Sequence, residues 1–100
     1  MRRDSKIVCD EYLDFIREKY CIGCGKAPCE PHHLQPRGWR EAKRNDFTSV
    51  PVERECHNYF EQHGTDAFAY KYQVDPFREA LMLTLEFFMS RTTATISRGD

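Results

Sequence analysis

The chain has 100 residues with 15 lysines and arginines against 16 aspartates and glutamates, a net charge of −1, and five cysteines. No apolar run reaches the roughly 18 residues that cross a bilayer, residues 1–6 lack the apolar stretch of a secretory signal, and an odd cysteine count argues against a full disulfide framework. We therefore expect one domain over residues 1–100, cytoplasmic and away from membranes, with reduced thiols of which some bind metal.

Residues 5–19 are predicted to form an amphipathic helix that begins at a cap provided by Asp4 or Ser5. One face of this helix carries the apolar residues Val8, Tyr12, Phe15 and Ile16. Cys9, on the same helix, is interpreted as a small buried apolar side chain.

Residues 20–31 are rich in turn-forming residues and contain three cysteines, two of them in the motif Cys21-x-x-Cys24. Glycines and prolines punctuate the segment, which indicates a tight loop whose backbone N–H groups face thiolates. Cys21 and Cys24 have the spacing of tetrahedral zinc ligands, and Cys56 is a third candidate. Glu53 and Cys29 are both candidates for the fourth ligand, and a redox pair at Cys21 and Cys24 is the alternative.

Two short β-prone stretches, residues 33–34 and 48–52, flank a basic loop and are predicted to pair as a hairpin, with Pro51 at an edge or an end. The loop, residues 36–46, is either solvated or in contact with phosphate. Its basic residues are Arg37, Arg40, Lys43 and Arg44.

Three helical segments are predicted after the hairpin. Residues 54–63 form a short helix that ends at Gly64, and Asp66 caps a helix over 67–72. Asp75-Pro76 begins the last helix, over 76–90, which is apolar enough to be largely core. The tail from Arg91 is expected to fray.

The histidines point to a second site. His32 and His33 are neighbours on a β-prone stretch, so their side chains point to opposite sides, and one can bind a metal while the other faces a substrate. His57 and Glu61 are four residues apart and share a helix face, where they can hold one cation together. A carboxylate among the ligands favours Mg²⁺ or Mn²⁺, and His63 closes the helix.

The order of these motifs resembles the small HNH endonucleases of phage and prophage type. The resemblance covers about residues 20–76, with residues 76–90 as a C-terminal helix. It rests on Cys21-Ile-Gly-Cys24-Gly-Lys-Ala-Pro-Cys29-Glu-Pro-His32-His33-Leu34, Asp46-Phe47-Thr48, Val50-Pro51 and Arg54-Glu-Cys56-His57. It implies an α+β fold: a small ββα-metal core, made of a β-hairpin plus a helix, with a zinc-knuckle-like loop and flanking N- and C-terminal helices.

The resemblance also implies roles for individual residues. His33 matches the general base that activates water, and His32 and His57 match metal ligands. Glu61 stands where the family usually has a second helical histidine, for which His63 is a substitute if the helix ends early. Two further positions depart from the family pattern. Thr48 or Asp46 stands near the family's asparagine, and Glu53 stands where the family has a cysteine.

The implied function is a metal-dependent DNA endonuclease that hydrolyses phosphodiester bonds with one Mg²⁺ or Mn²⁺ ion and a histidine general base, stabilised by a structural Zn²⁺. DNA is the expected partner, with the basic loop holding its backbone. Two alternatives stay open: a non-catalytic zinc-stabilised module that binds DNA or protein, and a thiol-redox protein. The structure of the DNA substrate and the oligomeric state are left open.

Overall fold

The computed structural model of the chain describes residues 6–35 and 44–91. Its elements, in chain order, are α1 (Asp10–Arg17), β1 (Glu30–His33), a 3-10 turn (Asp46–Thr48), β2 (Ser49–Val52), α2 (Arg54–Tyr72) and α3 (Pro76–Arg91). The described part thus has the predicted α+β class, with a two-stranded antiparallel hairpin and three helices. None of these three helices combines the length and the apolarity that a membrane span requires.

The hairpin pairs β1 with β2 in antiparallel register, with Glu30 opposite Val52 and His32 opposite Val50. The predicted pairing is therefore confirmed, although β1 begins three residues earlier than the predicted stretch. Because side chains alternate along a strand, Glu30 and His32 lie on the same face of β1, and His33 lies on the other.

Helix α1 begins at Asp10, five residues later than predicted, because the preceding segment is extended. The N–H of Ile7 donates to the Arg44 carbonyl at 3.0 Å, and the Ile7 carbonyl accepts the N–H of Asp46 at 2.9 Å. Val8 consequently lies outside the helix and is 60% exposed, so its placement on the apolar face was wrong. The caps predicted at Asp4 and Ser5 lie outside the described residues, as does the tail beyond Arg91.

Helix α2 is interrupted at Gly64, whose φ of 90° and ψ of 174° are not helical. The predicted stop at Gly64 is thus correct, and the helix predicted over 67–72 is the second half of α2. A positive φ is tolerated by glycine at little steric cost, which explains this residue at the break. Across the break the rings of Phe60 and Phe68 stack with centroids 4.3 Å apart.

The interior has two apolar clusters. The first lies between the hairpin and α2 and contains Cys21, Cys29, Leu34, Val50, Val52, Cys56, Phe60, Phe68 and Ala80. The second lies between α1 and α3 and contains Tyr12, Ile16 and Phe87, with Cys9 only partly buried beside them. The two clusters hold the hairpin and α2 in place, and these elements carry most of the candidate ligands.

The expectation that α3 is largely core was wrong. Its buried residues are Pro76, Ala80 and Phe87, whereas Leu81 and Met82 are more than half exposed. A chain this small offers too little surface to cover a helix that is apolar over most of its circumference. One face of α3 therefore packs on the rest of the domain and another remains open to solvent.

The predicted start of α3 is confirmed, because the Asp75 carboxylate accepts the N–H groups of Phe77 at 3.1 Å and Arg78 at 3.2 Å. We expect Asp75→Ala to lower the free energy of unfolding by about 1 kcal/mol, the usual effect of losing an N-cap. Urea unfolding followed by circular dichroism measures this, with Asn58→Ala on the exposed side of α2 as the control. Equal stability of the two variants would contradict the assigned cap.

Candidate metal centres

Three thiols meet where the loop after α1 approaches the start of α2. Ligand atoms of Cys21, Cys24 and Cys56 all lie within 4.8 Å of one another, which is close enough to share one metal ion. Gly23 lets the loop pack closely on the second half of α2, since a β-carbon there would lie 3.0 Å from the Phe68 ring and the ring would have to shift. The predicted grouping of these three cysteines is present in the structure.

Backbone donors prepare one of the three sulfurs to carry charge. The Cys21 Sγ accepts the N–H groups of Gly23 at 3.3 Å and Cys24 at 3.4 Å. Burial acts to raise the pKa of Cys21, but the backbone N–H groups outweigh it and the pKa is lowered. The pKa of Cys56 is raised to about 12, chiefly by burial. A cation is therefore needed before all three become thiolates.

Glu53 and Cys29, the two candidates for a fourth ligand, differ in their surroundings. A Glu53 carboxylate oxygen lies 3.8 Å from the Cys24 Sγ and also accepts the N–H of Cys56. The Cys29 thiol instead donates to the Lys26 carbonyl at 3.3 Å, and burial together with the charges of the group raises its pKa to about 11. Glu53 therefore caps α2 and lies beside the Cys24 sulfur, whereas the group of ligand atoms within 4.8 Å contains neither Glu53 nor Cys29.

A second group joins the hairpin to α2. His32 on β1 and His57 and Glu61 on α2 each offer a ligand atom within 4.8 Å of the others. The two rings meet edge to face with centroids 5.1 Å apart. His57 and Glu61 share one helix face, as predicted, and both lie opposite the strand that carries His32.

Glu30 holds His57 in place, a role that the sequence analysis missed. The Nδ1 of His57 lies 2.7 Å from a Glu30 oxygen, and the other oxygen pairs with Arg54 at 3.1 Å. The pKa of Glu30 is lowered, first by the hydrogen bond from His57, so Nδ1 is the donor of this bond. The available signal was alternation, because Glu30 stands two residues before His32 on the same strand face.

In the neutral ring this arrangement leaves the lone pair on Nε2 of His57. The Nε2 atom lies 3.5 Å from an oxygen of Glu61. Two acceptors facing each other at this distance are compatible with a cation between them. In metalloproteins, a carboxylate commonly accepts a hydrogen bond from the second nitrogen of a metal-binding histidine and so orients the ring.

The lowered pKa of His32 keeps its imidazole neutral near pH 7. Burial, and then the neighbouring His57, lowers the pKa of His32 to about 4. Its ring lies 4.1 Å from that of Phe60, centroid to centroid, on the apolar side of the hairpin. A neutral imidazole can present a lone pair to a metal without first losing a proton.

His33, on the other face of β1, is bonded to a fully buried carboxylate. Its Nε2 lies 2.8 Å from the Asp46 Oδ1, and the pKa of Asp46 is lowered because hydrogen bonds from Arg44, Cys9 and His33 outweigh its burial. An ionised carboxylate can only accept, so Nε2 is the donor, and in the neutral ring Nδ1 carries the lone pair. The Thr48 hydroxyl instead donates to the Asn45 carbonyl at 2.9 Å. Of Thr48 and Asp46, Asp46 is thus the residue whose side chain is hydrogen-bonded to His33.

The remaining candidates lie apart from both groups or beyond the described residues. His63 stacks on Tyr59, with ring centroids 4.2 Å apart, and does not join the three ligand atoms of the histidine group. Arg44 pairs with Asp46 at 2.8 Å. Arg37, Arg40 and Lys43 lie outside the described residues.

Together these features define a small α+β protein with two groups of possible metal ligands, one of thiols and one of imidazoles with a carboxylate. The chain belongs to the family described as Protein of unknown function (DUF968), which matches residues 2–87 and so includes both groups. Comparisons with curated proteins and with solved structures gave no match. Because the family description assigns no activity, function has to be inferred from the chemistry of the two groups.

With Zn²⁺ as the probe, we expect Cys56→Ser to weaken metal binding at least about tenfold. Loss of a residue that only orients a ligand already costs that much, and Cys56 would be a ligand itself. Glu53→Gln keeps the acceptor for the Cys56 N–H but loses the charge, and we expect it to weaken binding as well. Competition with a chromophoric chelator measures these affinities. Cys29→Ser is the matched control, and a loss there equal to that of Cys56→Ser would make Cys29 the ligand.

The lowered pKa of His32 predicts a pH-dependent stability. The unfolded chain takes up a proton near the ordinary value of 6.5 and the folded chain only near 4, so the free energy of unfolding falls as the pH drops through this window. Urea unfolding between these limits, without added Mg²⁺ or Mn²⁺, measures the fall. We expect a smaller fall in His32→Gln, and an equal fall in both proteins would show that another group is responsible.

Proposed function

We propose that the protein is a metal-dependent DNA endonuclease of the HNH type, in which His33 activates the attacking water. One observation carries the proposal: His32, His57 and Glu61 converge within 4.8 Å while the next residue of the same strand, His33, is bonded to a buried carboxylate. This pairing of a ligand group with an oriented imidazole is what hydrolysis with one cation and a histidine base requires.

The three converging side chains are suited to hold Mg²⁺ or Mn²⁺. The carboxylate of Glu61 is the ligand type that Mg²⁺ and Mn²⁺ prefer, and the two imidazoles complete the donor set. When bound, the cation would supply positive charge to the oxygens of a phosphodiester. Glu30 fixes the ring of His57 through Nδ1, so Nε2 is the atom presented to the ion.

His33 is the proposed general base. Asp46 accepts its Nε2–H, which fixes the tautomer and leaves the Nδ1 lone pair to receive a proton from water. The resulting imidazolium is stabilised by the same carboxylate, since a charged donor strengthens the hydrogen bond. Arg44 shares Asp46 with His33, and this divides the negative charge between two cationic partners.

The finer architecture belongs to the same proposal. The hairpin and the first half of α2 would form the ββα-metal core, and the thiols of Cys21, Cys24 and Cys56 with Glu53 would hold a structural Zn²⁺. The basic loop, with Arg44 at its described end, would contact the DNA backbone in a salt-sensitive and sequence-independent way. The reduced cysteines fit a cytoplasmic location.

A non-catalytic zinc-stabilised binding module is the second candidate. The thiol group supports it, because three cysteines and a carboxylate stabilise a small domain whether or not it performs chemistry. Such a module would also bind DNA or protein through the basic loop. Only cleavage itself separates the two candidates.

We expect His33→Ala to lower plasmid nicking at least about a hundredfold in Mg²⁺ or Mn²⁺, because a positioned general base contributes 10²–10⁴ in rate. His63→Ala is the matched control, since that imidazole lies outside the ligand group, and we expect it to cut normally. Gel analysis of supercoiled plasmid measures both, with zinc content determined on the same samples. DNA that is bound but never cut by the wild type would favour the binding module.

A further inference from the structure

Helix α3 exposes a continuous apolar surface. Of nine large apolar side chains that are exposed in the described part of the chain, six belong to this helix and are 38–58% exposed. We call them the α3 stripe: Phe77, Leu81, Met82, Leu85, Phe88 and Met89. Apolar surface gathered on one helix differs from the scattered exposed residues of an ordinary monomer.

The helix geometry makes the stripe a distinct face. At about 100° per residue its members fall within an arc of about 140°, roughly opposite the buried Ala80 and Phe87. The buried side packs against the rest of the domain, and Thr84 anchors it by donating to the Phe47 carbonyl at 2.9 Å. The stripe therefore points away from the domain to which α3 is fixed.

We propose that the α3 stripe is the docking surface for a second copy of this chain, with the two α3 helices antiparallel about a twofold axis. From exposed fractions of 38–58%, the exposed area of these six residues is on the order of 500 Å² per copy. Two copies that covered it completely would bury at most about 1,000 Å², near the lower limit for a specific interface. The patch also lies in the upper range for monomers, where such patches usually have a function.

The sequence of the stripe fits pairing with itself. Leu81 and Phe88 are seven residues apart, as are Arg78 and Leu85, which gives the seam of a two-helix contact. An antiparallel axis near residue 83 places Leu81 against Leu85 of the second copy. It also places Arg78 over the Phe88 ring of the second copy, a favourable cation–π contact, whereas parallel helices would oppose Arg78 to itself.

The inference goes beyond the proposed nuclease activity and does not depend on it, because it rests on surface and register alone. If the histidine group is an active centre, the twofold arrangement gives each assembly two such centres. If that group only binds metal, the dimer interface is unchanged.

Sedimentation equilibrium of the 100-residue chain, from micromolar concentrations upward, tests the proposal. We expect the wild type to dimerise. Leu85→Glu should raise the dimer dissociation constant at least about tenfold, because it replaces a leucine at the seam with a charged side chain. Tyr70→Glu, at a position 81% exposed on α2, introduces the same charge off the stripe and should leave the constant unchanged. Circular dichroism checks that all three proteins are folded.

Arg78→Gln tests the orientation. In the antiparallel dimer the substitution removes the contact with Phe88 and weakens association, whereas in a parallel dimer it removes a repulsion and strengthens it. A wild type that stays monomeric, or that binds lipid vesicles instead of itself, overturns the proposal. A dimer that survives Leu85→Glu, or that Tyr70→Glu disrupts equally, also overturns it.

Discussion

The buried carboxylate of Asp46 is the constraint on which the arrangement of the chain depends. It is fully buried, and a buried charge is stable only when it is paired and hydrogen-bonded. Its oxygens accept the Cys9 N–H, the Arg44 Nε–H and the His33 Nε2–H, each at 2.8 Å. One side chain thus joins the segment before α1, the end of the basic loop and the strand that carries the histidine pair.

The same chemistry recurs on the other face of the hairpin, where Glu30 fixes His57. His33 and His57 thus each have a carboxylate partner that selects the ring nitrogen left free. The two pairs differ in exposure, since Asp46 is enclosed and the Glu30 side chain is 40% exposed and also bound to Arg54. The hydrogen bond of His33 therefore ends on an enclosed carboxylate, whereas that of His57 ends on a carboxylate that solvent reaches.

Local patterns in the sequence predicted much of the fold. Asp75-Pro76, Gly64 and the β-prone stretches act through nearby backbone atoms, so spacing along the chain was enough to place them. The partners of His33 and His57 could not be assigned in this way, because Asp46 and Glu30 lie 13 and 27 residues away and are brought close only by the hairpin. The exposure of α3 could not be predicted from the sequence either, because composition shows how apolar a helix is but not how much of its surface packs against other elements.

The break at Gly64 has a consequence for how the two ligand groups are related. The break lets the second half of α2 pack on the first, and this produces a row of rings between the two ligand groups. The ring centroids are 4.1 Å apart for His32 and Phe60, 4.3 Å for Phe60 and Phe68, and 4.6 Å for Phe68 and Tyr72. The Tyr72 hydroxyl lies 3.5 Å from the Cys56 sulfur, so the row of rings reaches the thiol group. The thiols and the imidazoles thus border the same row of packed rings, and a substitution of Phe60 or Phe68 would alter the packing beside both groups.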